Sequence, residues 1–278
     1  MLNEVLHVVQ QQGWFDTRQP YEKAIYLSQG ASLWMILTRR GQPQLFVKFS
    51  RLVSLETEAQ RFARASLAHP EHAPRFVGYI RHGELHVMAT GAVDFRAVTI
   101  DMVARPAAAE RLRQALAAYF TGAAEPVASH AWAQEVERYF QAQATQPPVA
   151  TGLCRLRAAL PSLPARPQHG DLVLNNLGLR PDGRLIVFDW EDYGEVALPG
   201  LDLFTLEMSL QEAAQQQGTR GRVDTAPALD IDGWCASQGI SPAQHRELRL
   251  CHALVFRYLK RKYGPEIQAR LDALIAAL

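Results

Sequence analysis

Three oxygen-bearing side chains lie near one another in the stretch HGDLVLNNLGLRPDGRLIVFDWED, which spans residues 169–192. Asn176 and Asp189 carry an amide and a carboxylate, and Asp171 precedes Asn176 by five residues. Carboxylate and amide oxygens are ligands that suit a hard divalent cation such as Mg²⁺. We therefore predict that Asn176 and Asp189 bind magnesium and that Asp171 reaches the same space. Taken alone, Asp171 is read as easily as a loop residue that caps a backbone turn.

The elements around these residues form a predictable hairpin. Two apolar, strand-like runs at 177–179 and 185–188 flank Asp182-Gly183, and Asp-Gly between apolar strands is a strong hairpin signal. If these two residues are the centre of the turn, Asn176 and Asp189 are directly opposed at the open end of the hairpin. Opposed Cβ atoms lie about 5 Å apart, a distance at which the two side chains can share one metal ion.

The order and spacing of these residues resemble a kinase catalytic centre. Protein kinases place a catalytic Asp and a metal-binding Asn five residues apart, followed by an Asp that binds Mg²⁺. Here His169-Gly170-Asp171 and Asp189-Trp190-Glu191 replace the flanking protein-kinase motifs. Those replacements are similar to the aminoglycoside phosphotransferase and choline kinase family, which phosphorylates small molecules. The resemblance implies that Asp171 is the catalytic carboxylate, as base or as orienting group for the acceptor hydroxyl.

The same resemblance implies an α+β, protein-kinase-like, two-lobed fold. We expect residues 1–91 to form a small nucleotide-binding lobe with an antiparallel sheet plus a helix, and residues 92–278 to form a larger, mostly helical lobe with the catalytic loop and the acceptor site. Apolar patterns predict the elements of both lobes. Strands are predicted at 21–27, 33–38, 44–49, 76–80 and 85–88, helices at 55–67, 106–120, 131–142, 153–160, 201–212, 241–263 and the C-terminus, and a loop at 218–227.

Lys48 and Glu58 are the predicted phosphate-binding pair. Alternation along Leu45-Phe46-Val47-Lys48-Phe49 places Lys48 and Phe46 on one face of a strand. A lysine among apolar residues needs an anionic partner, and the kinase resemblance supplies nucleotide phosphates and a helix Glu. Glu58 shares a helix face with apolar residues, whereas Glu56 points elsewhere. The alternative is a snorkelling edge-strand lysine and a solvated glutamate.

The predicted nucleotide loop departs from a glycine-rich pattern. Residues 28–32 read Ser-Gln-Gly-Ala-Ser and contain a single glycine. Ser32 either donates to a phosphate or belongs to an ordinary hairpin turn. The resemblance alone implies adenine recognition by backbone groups near Met88 and Thr90, and Met88 is equally readable as core. The implied cofactors are ATP, with GTP as the alternative, and Mg²⁺.

The segment from Asp189 to Glu212 contains seven acidic residues and no Lys or Arg. A negative cleft would attract Mg²⁺ and a cationic acceptor such as an aminoglycoside or an amino alcohol. Alternatively, several of these acids form a solvated helix face. His169 is expected to fix the catalytic loop through backbone hydrogen bonds, and Asp202 to cap the next helix and support that loop.

Composition excludes several other classes. A net charge of +1 argues against a nucleic-acid binder that works by phosphate neutralisation. No apolar run approaches the ~18 residues of a membrane-spanning helix, and the N-terminus lacks the basic region of a signal peptide. The three cysteines are isolated, which favours a reducing cytoplasm. We expect a cytoplasmic enzyme with a small-molecule hydroxyl acceptor and neither a nucleic-acid nor a membrane partner.

Three alternatives to a small-molecule kinase stay open at this point. A pseudokinase would bind nucleotide or act as a scaffold without transfer; the intact Asp–Asn–Asp set argues against it and the poor nucleotide loop argues for it. A protein kinase is less favoured because no Ala-Pro-Glu segment follows the motif. A metal hydrolase is weaker still, since the ligand set lacks the His pair or Cys cluster of a zinc site.

Overall fold

The computed structural model describes residues 1–27, 32–121, 130–143, 146–216 and 230–278. Residues 28–31 of the predicted nucleotide loop and the loop predicted at 218–227 lie outside these ranges. Contacts divide the chain into two compact units. Unit 1 consists of Met1–Arg96 with Gly178–Glu191, and unit 2 consists of Ala97–Leu177 with Asp192–Leu278. The functional assignment of 1–91 and 92–278 stays a prediction.

Unit 1 contains one helix before the sheet, a five-stranded antiparallel sheet and a second helix inserted between strands. The elements are α1 (Leu2–Gln11), β1 (Glu22–Leu27), β2 (Leu33–Arg39), β3 (Gln42–Ser50), α2 (Ser54–Ala68), β4 (Phe76–His82) and β5 (Leu85–Gly91). The strand order is β1-β2-β3-β5-β4. Every pair in this sheet is antiparallel, so neighbouring strands are joined by short hairpins except where α2 intervenes.

The two faces of this sheet have different roles because side chains alternate along each strand. Leu45, Val47 and Phe49 of β3 are buried in a core that also contains Val5 and Val9 of α1. Their neighbours on β3 point to the other face, where α2 contacts β4 and β5. The apolar face therefore fixes the sheet against α1 and leaves the opposite face for polar chemistry.

Three short strands form a second sheet in the order β6 (Arg96–Ala97), β7 (Leu177–Leu179), β8 (Leu185–Val187). The predicted hairpin is present, but its register was wrong by one residue. Arg180 N donates to Arg184 O over 2.9 Å, which leaves three connecting residues that end at Gly183 with φ 84°. Three-residue hairpins of this kind place their last residue in the left-handed region. Asn176 is not on the strand but in a 3₁₀ turn, Leu174–Asn176, so the expected direct opposition with Asp189 does not follow from the hairpin.

Unit 2 is mostly helical. Its helices are α3 (Ile100–Val103), α4 (Pro106–Thr121), α5 (Ala131–Phe140), α6 (Pro147–Ala159), α7 (Leu201–Gln216), α8 (Ile231–Ser237), α9 (Pro242–Glu247), α10 (Arg249–Leu259) and α11 (Pro265–Ala277). The predicted single helix at 241–263 is divided at Leu248 into α9 and α10, and its basic end forms a 3₁₀ turn, Lys260–Lys262. Ser241 caps α9 through a capping box with Gln244.

The predicted α+β class is confirmed by the antiparallel sheet and the helical majority. The helix predicted at 55–67 begins one residue earlier, at Ser54, and Val53 occupies the cap position without a side-chain hydrogen bond. Within the described ranges, every helix is too short or too polar to cross a bilayer. The cytoplasmic location stays a prediction.

Candidate active site

Lys48 and Glu58 form the predicted ion pair in unit 1. Lys48 Nζ lies 2.7 Å from Glu58 Oε1 and 2.8 Å from Oε2, so the ammonium donates to both carboxylate oxygens. The two side chains are 19% and 14% exposed, and each is held by a regular element, β3 for Lys48 and α2 for Glu58. A buried pair with this geometry offsets the desolvation of both charges. The pair fixes the ammonium on the side of the sheet opposite to the core.

The surroundings of Lys48 keep it charged. Burial lowers the pKa of the Lys48 ammonium, but Glu58, and then Asp189 and Glu191, raise it above its ordinary value. Asp189 therefore lies near enough to act electrostatically on Lys48 within unit 1. Lys48, Glu58 and Asp189 therefore place one ammonium and two carboxylates near one another in unit 1.

Asp189 has an uncommon backbone conformation. Its φ is 61°, in the left-handed region that a non-glycine residue rarely adopts. The segment is fastened on both sides: the Trp190 indole nitrogen donates to Val187 O over 2.7 Å, and Arg61 of α2 donates to Glu191 O over 2.7 Å. Trp190 is fully buried and stacks on His69. Backbone strain that neighbouring contacts maintain in this way is concentrated at functional residues.

Aromatic rings extend from Lys48 across the same face of the sheet. Lys48 is paired in register with Trp34 of β2, and Trp34 is paired with Tyr26 of β1. The Tyr26 and Trp34 rings stack with centroids 4.8 Å apart, and Phe46 lies 5.3 Å from Trp34. Tyr26 is 44% exposed, which keeps part of this aromatic surface accessible. An aromatic surface beside a phosphate-binding lysine can stack against a nucleobase.

The predicted nucleotide contacts of Ser32, Met88 and Thr90 stay predictions. Ser32 is half-buried directly before β2. Met88 is paired with Lys48 on one side and with Tyr79 on the other, and Thr90 is likewise paired on both sides. Both residues therefore lie inside the sheet, and adenine recognition by backbone groups near them stays a prediction.

The predicted catalytic loop, residues 169–176, is held in unit 2 by a polar stripe of α7, that is, by three polar side chains on one face of the helix. Asp202 accepts hydrogen bonds from His169 N (2.8 Å) and Gly170 N (2.9 Å). Thr205 donates to Leu172 O over 3.1 Å, and Ser209 accepts from Leu174 N over 3.0 Å. These α7 residues are spaced by three and four positions and so share one face of the helix. The expected support of the loop by Asp202 is confirmed, whereas Asp202 lies in the first turn of α7 and does not act as its cap.

Two further contacts set the backbone of this loop. Gly170 has φ 84°, and a Cβ there would meet the Cβ of Asp192 at 3.1 Å, so only glycine fits. The fully buried His169 accepts a hydrogen bond from Asp171 N through Nδ1, as expected for a residue that fixes the loop. Asn176 donates through Nδ2 to Asp171 O over 2.9 Å, which leaves its amide oxygen as the atom suited to a metal.

Asp171 is held by a lysine that the sequence analysis did not identify. Lys260 Nζ lies 3.0 Å from Asp171 Oδ2 and 3.1 Å from Asp192 Oδ2. The Lys260 side chain is 6% exposed, Asp171 is 15% exposed and Asp192 is 1% exposed. Burial lowers the pKa of the Lys260 ammonium, but the two carboxylates raise it above its ordinary value. A charged lysine between two carboxylates favours their ionised forms.

Five of the seven acidic residues that were predicted to form a negative cleft have partners within unit 2. Asp192 also contacts Lys262 (3.2 Å), Glu195 contacts Arg261 (2.8 Å) and Glu207 contacts Arg249 (2.6 Å). Glu212 is paired with Arg270, and Asp202 accepts the two loop N–H groups. The basic end of α10 is therefore used for ion pairs with this segment. Five of the seven acids therefore have a cationic or N–H partner within unit 2, and a negative cleft for a cationic acceptor stays a prediction.

A cavity of about 710 Å³ opens beside Asp171 in unit 2. Its walls come from the catalytic loop, α7, the C-terminal end of α10 and α11. Asp171 and Lys260 are at one part of the wall, and Glu212 and Arg270 are at another. Cavities of this volume accommodate small organic molecules. Asp171 is therefore placed where an acceptor could approach its carboxylate.

The predicted magnesium ligands fit the chemistry of the ion. Asn176 offers an amide oxygen, and Asp189 offers an exposed carboxylate on a fastened segment. In the part of the chain that the structure describes, no group of three or more His, Cys, Asp or Glu side chains could hold a metal ion by itself. That finding agrees with Mg²⁺, which is usually bound through one or two protein oxygens together with substrate phosphates and water.

Sequence reasoning missed Lys260 and the aromatic surface at Trp34. Lys260 follows Asp192 by 68 positions, so no local pattern connects the two residues. Trp34 had a usable signal, since it alternates with buried residues along β2 and must share the face of its strand partner Lys48. The polar stripe of α7 was likewise visible as Asp202, Thr205 and Ser209 at spacings of three and four residues.

Comparison with known families agrees with this site. A model of the phosphotransferase enzyme family (APH) matches residues 24–222, which is more than half of the chain. That range includes the Lys48–Glu58 pair, the catalytic loop and the stripe of α7. No curated protein sequence matches the chain.

Solved structures show the same fold. Choline kinase LicA from Streptococcus pneumoniae is 13% identical with a TM-score of 0.62, over 99% of this chain and 100% of that chain. Aminoglycoside phosphotransferase APH(3'')-Id from Streptomyces rimosus is 17% identical with a TM-score of 0.56, over 92% of this chain and 98% of that chain. APH(2'')-IIa in its ternary complex with streptomycin and ATP is 12% identical with a TM-score of 0.60, over 99% of this chain and 96% of that chain. With the family match across most of its length, the chain belongs to the phosphotransferase enzyme family and has its protein-kinase-like fold.

Proposed function

We propose that this protein is an ATP-dependent, Mg²⁺-dependent kinase that transfers the γ-phosphate to a hydroxyl group of a small molecule. The observation that carries the proposal is the location of Asp171 in the wall of the 710 Å³ cavity, with its carboxylate 3.0 Å from the buried Lys260. An acceptor hydroxyl held there meets an ionised carboxylate in a fixed position. Phosphoryl transfer depends above all on such positioning.

The residues of unit 1 would bind the nucleotide. Lys48 donates to phosphate oxygens while Glu58 holds its ammonium in place. Trp34 and Tyr26 provide the stacking surface for the base, and Ser32 is the candidate donor from the loop before β2. Stacking does not distinguish adenine from guanine, so GTP is the alternative donor. The complexes of similar proteins with ATP, ADP and AMP support a nucleotide here.

In the proposed reaction, the acceptor oxygen attacks the γ-phosphorus and the bond to the β–γ bridging oxygen breaks, so that ADP leaves with the electron pair. Asp171 aims the hydroxyl and receives its proton as the new P–O bond forms. Lys260 holds Asp171 ionised and in position until then. Asn176 and Asp189 would hold magnesium, which would offset the negative charge of the nucleotide phosphates.

The test is ADP release by the purified protein with Mg²⁺ and ATP in the presence of a panel of alcohols, with phosphorylated product identified by mass spectrometry. We expect acceptor-dependent ADP release and a product heavier by one phosphoryl group. Binding of a fluorescent ATP analogue without transfer to any alcohol would instead support a pseudokinase. Phosphate incorporation into protein alone would support a protein kinase. Equal activity with GTP would assign the guanine nucleotide as a donor too.

A Trp34→Ala variant tests the nucleotide half by itself. Loss of one aromatic contact to a base weakens binding roughly tenfold. We expect this loss for the fluorescent ATP analogue, whereas inorganic triphosphate, which has no base, should bind equally to both proteins. Phe95→Ala is a matched control, since Phe95 is an exposed aromatic residue that contacts Phe188 instead of the β1–β2–β3 surface.

A further inference from the structure

The charges in the acceptor cavity are balanced. The charged side chains in its wall, among the residues that the structure describes, are Asp171, Glu212, Lys260 and Arg270. Lys260 contacts Asp171 and also Asp192 behind it, which has Lys262 as a second partner, and Arg270 contacts Glu212, so each acid in the wall is paired with a base. An ammonium group that enters such a cavity finds no surplus carboxylate and must compete with an existing cation for its partner.

The position of Lys260 makes the reactive end of the cavity unfavourable for a cation. Its ammonium lies 3.0 Å from Asp171 Oδ2 and is raised in pKa by the flanking carboxylates. A positive group on the acceptor close to the reacting hydroxyl would lie within a few ångströms of this charge. Repulsion between like charges at such distances is strong because little water screens them.

Apolar side chains make up much of the remaining wall. They are Met208, Phe256, Tyr263, Ile267, Leu271 and Leu274. Phe256 and Leu271 are buried, while Ile267 is 38% exposed at the cavity. Lys260 itself lies between the Phe256 and Tyr263 rings, with Nζ 5.5 and 5.2 Å from their centroids. An apolar group of the acceptor gains free energy when it covers this surface.

From these contacts we infer that the acceptor is an alcohol with an apolar portion and without net positive charge. The inference rests on the proposed function, since it concerns the acceptor of that same site. The reactive hydroxyl meets Asp171, and the apolar portion lies along α10 and α11. Polycationic acceptors are excluded by the charge balance of the cavity wall.

The experiment uses pairs of alcohols that have the same shape and differ in charge. Choline and its neutral isostere 3,3-dimethyl-1-butanol form one pair, and hexyl glucosaminide and hexyl glucoside form another. Binding is measured by saturation-transfer NMR on the full chain without nucleotide, so the result does not depend on turnover. We expect the neutral member of at least one pair to bind roughly tenfold more tightly than its cationic partner. Equal or tighter binding of the cations, or no binding by either neutral alcohol, overturns the inference.

An Arg270→Glu variant sharpens the test because it changes the cavity charge by two units. We expect it to reverse the preference in favour of the cationic members, and Arg270→Ala to shift it part of the way. Arg246→Glu is the matched control, since it makes the same change at an exposed residue of α9 that does not line the cavity. Arg246→Glu should leave the preference as it is in the unchanged protein, and an equal shift in both Glu variants contradicts the inference.

The two proposals fail in different ways. If the neutral alcohols bind but no ADP is released in their presence, the kinase assignment fails and the inferred ligand class stands. If ADP release occurs with the cationic members in preference to the neutral ones, the kinase assignment stands and the inferred ligand class fails.

Discussion

Two buried lysines, one in each unit, hold the carboxylates of the candidate site in different ways. Lys48 is paired with Glu58, ten residues away, and each side chain is carried by a regular element. Lys260 lies just after α10 and is paired with Asp171 and with Asp192, which is 68 residues away. The first pair joins neighbouring elements, whereas the second fastens the C-terminal helices to the catalytic loop. The same kind of contact thus fixes neighbouring elements in unit 1 and the loop that contains Asp171 in unit 2.

The largest expected effect is at Asp171, to which the proposed function gives a role in phosphoryl transfer and not in nucleotide binding. Asp171→Asn keeps the size of the side chain but removes the proton acceptor, so kcat should fall by roughly 10²- to 10⁴-fold. The affinity for the ATP analogue should stay within about twofold, because Lys48 and Glu58 are unchanged. Initial rates of ADP release and fluorescence titration measure the two quantities. Near-normal turnover in this variant would remove Asp171 from the catalytic role.

Asp182→Asn is the matched control for that substitution. Asp182 is an exposed residue of the β7–β8 hairpin that contacts Arg184. Its loss should change neither kcat nor nucleotide affinity measurably, since water screens an exposed ion pair and Asp182 is not part of the proposed site.

The next largest effect is expected for Lys260→Met, which distinguishes the role of Lys260 from that of Lys48 most clearly. It leaves Asp171 and Asp192 without their shared cation, and removal of one partner of a buried ion pair costs about 3–5 kcal/mol. Urea unfolding followed by circular dichroism should show this loss in the free energy of unfolding. Lys262→Met is the control, because Lys262 contacts the same Asp192 but is 48% exposed, and its loss should be about 1 kcal/mol or less.

Two further variants distinguish a positioning role of Lys260 from a purely structural one. Lys260→Met with Asp192→Asn removes one of the two carboxylates that have lost Lys260, so it should recover part of the stability but not the turnover. Lys260→Arg keeps the charge, yet its planar guanidinium cannot reproduce the contacts of a compact ammonium with both carboxylates. We expect Lys260→Arg to be folded at 25 °C with a lowered kcat and an unchanged affinity for the ATP analogue. Full turnover by Lys260→Arg would show that the position of Lys260 is not critical for transfer.

Glu58→Gln tests the local pair and should affect binding instead of chemistry. The amide cannot neutralise Lys48, and a charged hydrogen bond contributes about 1.5–3 kcal/mol, which corresponds to roughly 10- to 100-fold in nucleotide affinity. Glu56→Gln on the same helix is the control, since Glu56 interacts with Tyr79 and not with Lys48. Titration with the ATP analogue measures both variants. Equal losses in the two would mean that α2 as a whole, and not the Lys48–Glu58 contact, controls the affinity.

The contrast between a local ion pair and a pair that is distant in sequence also explains which parts of the site could be predicted from the sequence. The Lys48–Glu58 pair follows from alternation on a strand and three- to four-residue spacing on a helix, which are local periodicities. The hairpin at 177–187 was predicted, but its register depended on turn type. Pro181 before Asp182-Gly183 fixes a φ that suits the first central position of an ordinary turn, with Gly183 following in the left-handed region. A two-residue Asp-Gly turn was therefore the wrong choice.

Lys260 was not predictable because its partners are distant in sequence. A run of basic residues at the end of a helix is expected from the helix dipole alone, so the pattern gave no reason to pair Lys260 with Asp171. The break of the predicted helix at Leu248 is similar, since apolar spacing continues through it and α9 and α10 are separated by tertiary contacts. Seven acids in one segment suggested a negative cleft for the same reason, because their cationic partners lie elsewhere in the chain.

The smallest expected effect concerns the pH dependence of stability and a buried side chain that stays neutral, His252, in contrast to the two charged lysines. His252 lies on α10, which ends directly before Lys260; it is fully buried and contacts Pro199 O through Nε2 at 3.0 Å. Burial, together with the nearby His245 and Arg249, lowers the pKa of His252 to about 3. Because the folded-state pKa is below the ordinary value of 6.5, the stability is fully present above pH 6.5 and decreases as the pH falls toward 3. The loss is roughly 1 kcal/mol per pH unit within that window.

His252→Gln removes the titrating group, so its free energy of unfolding should fall less between pH 6.5 and 5 than that of the unchanged protein, even if its stability at pH 7.5 is lower. His7→Gln, at an exposed residue of α1, is the matched control for the substitution itself. Urea titrations at a series of pH values measure the slopes. Identical slopes in the His252→Gln variant and the unchanged protein would mean that His252 is not kept neutral by its surroundings. Unit 2 would then lose stability in acid chiefly through Asp192. Lys260 and Lys262 outweigh the effect of burial and lower the pKa of the Asp192 carboxyl. The stability that Asp192 contributes is therefore lost only below pH 3.8.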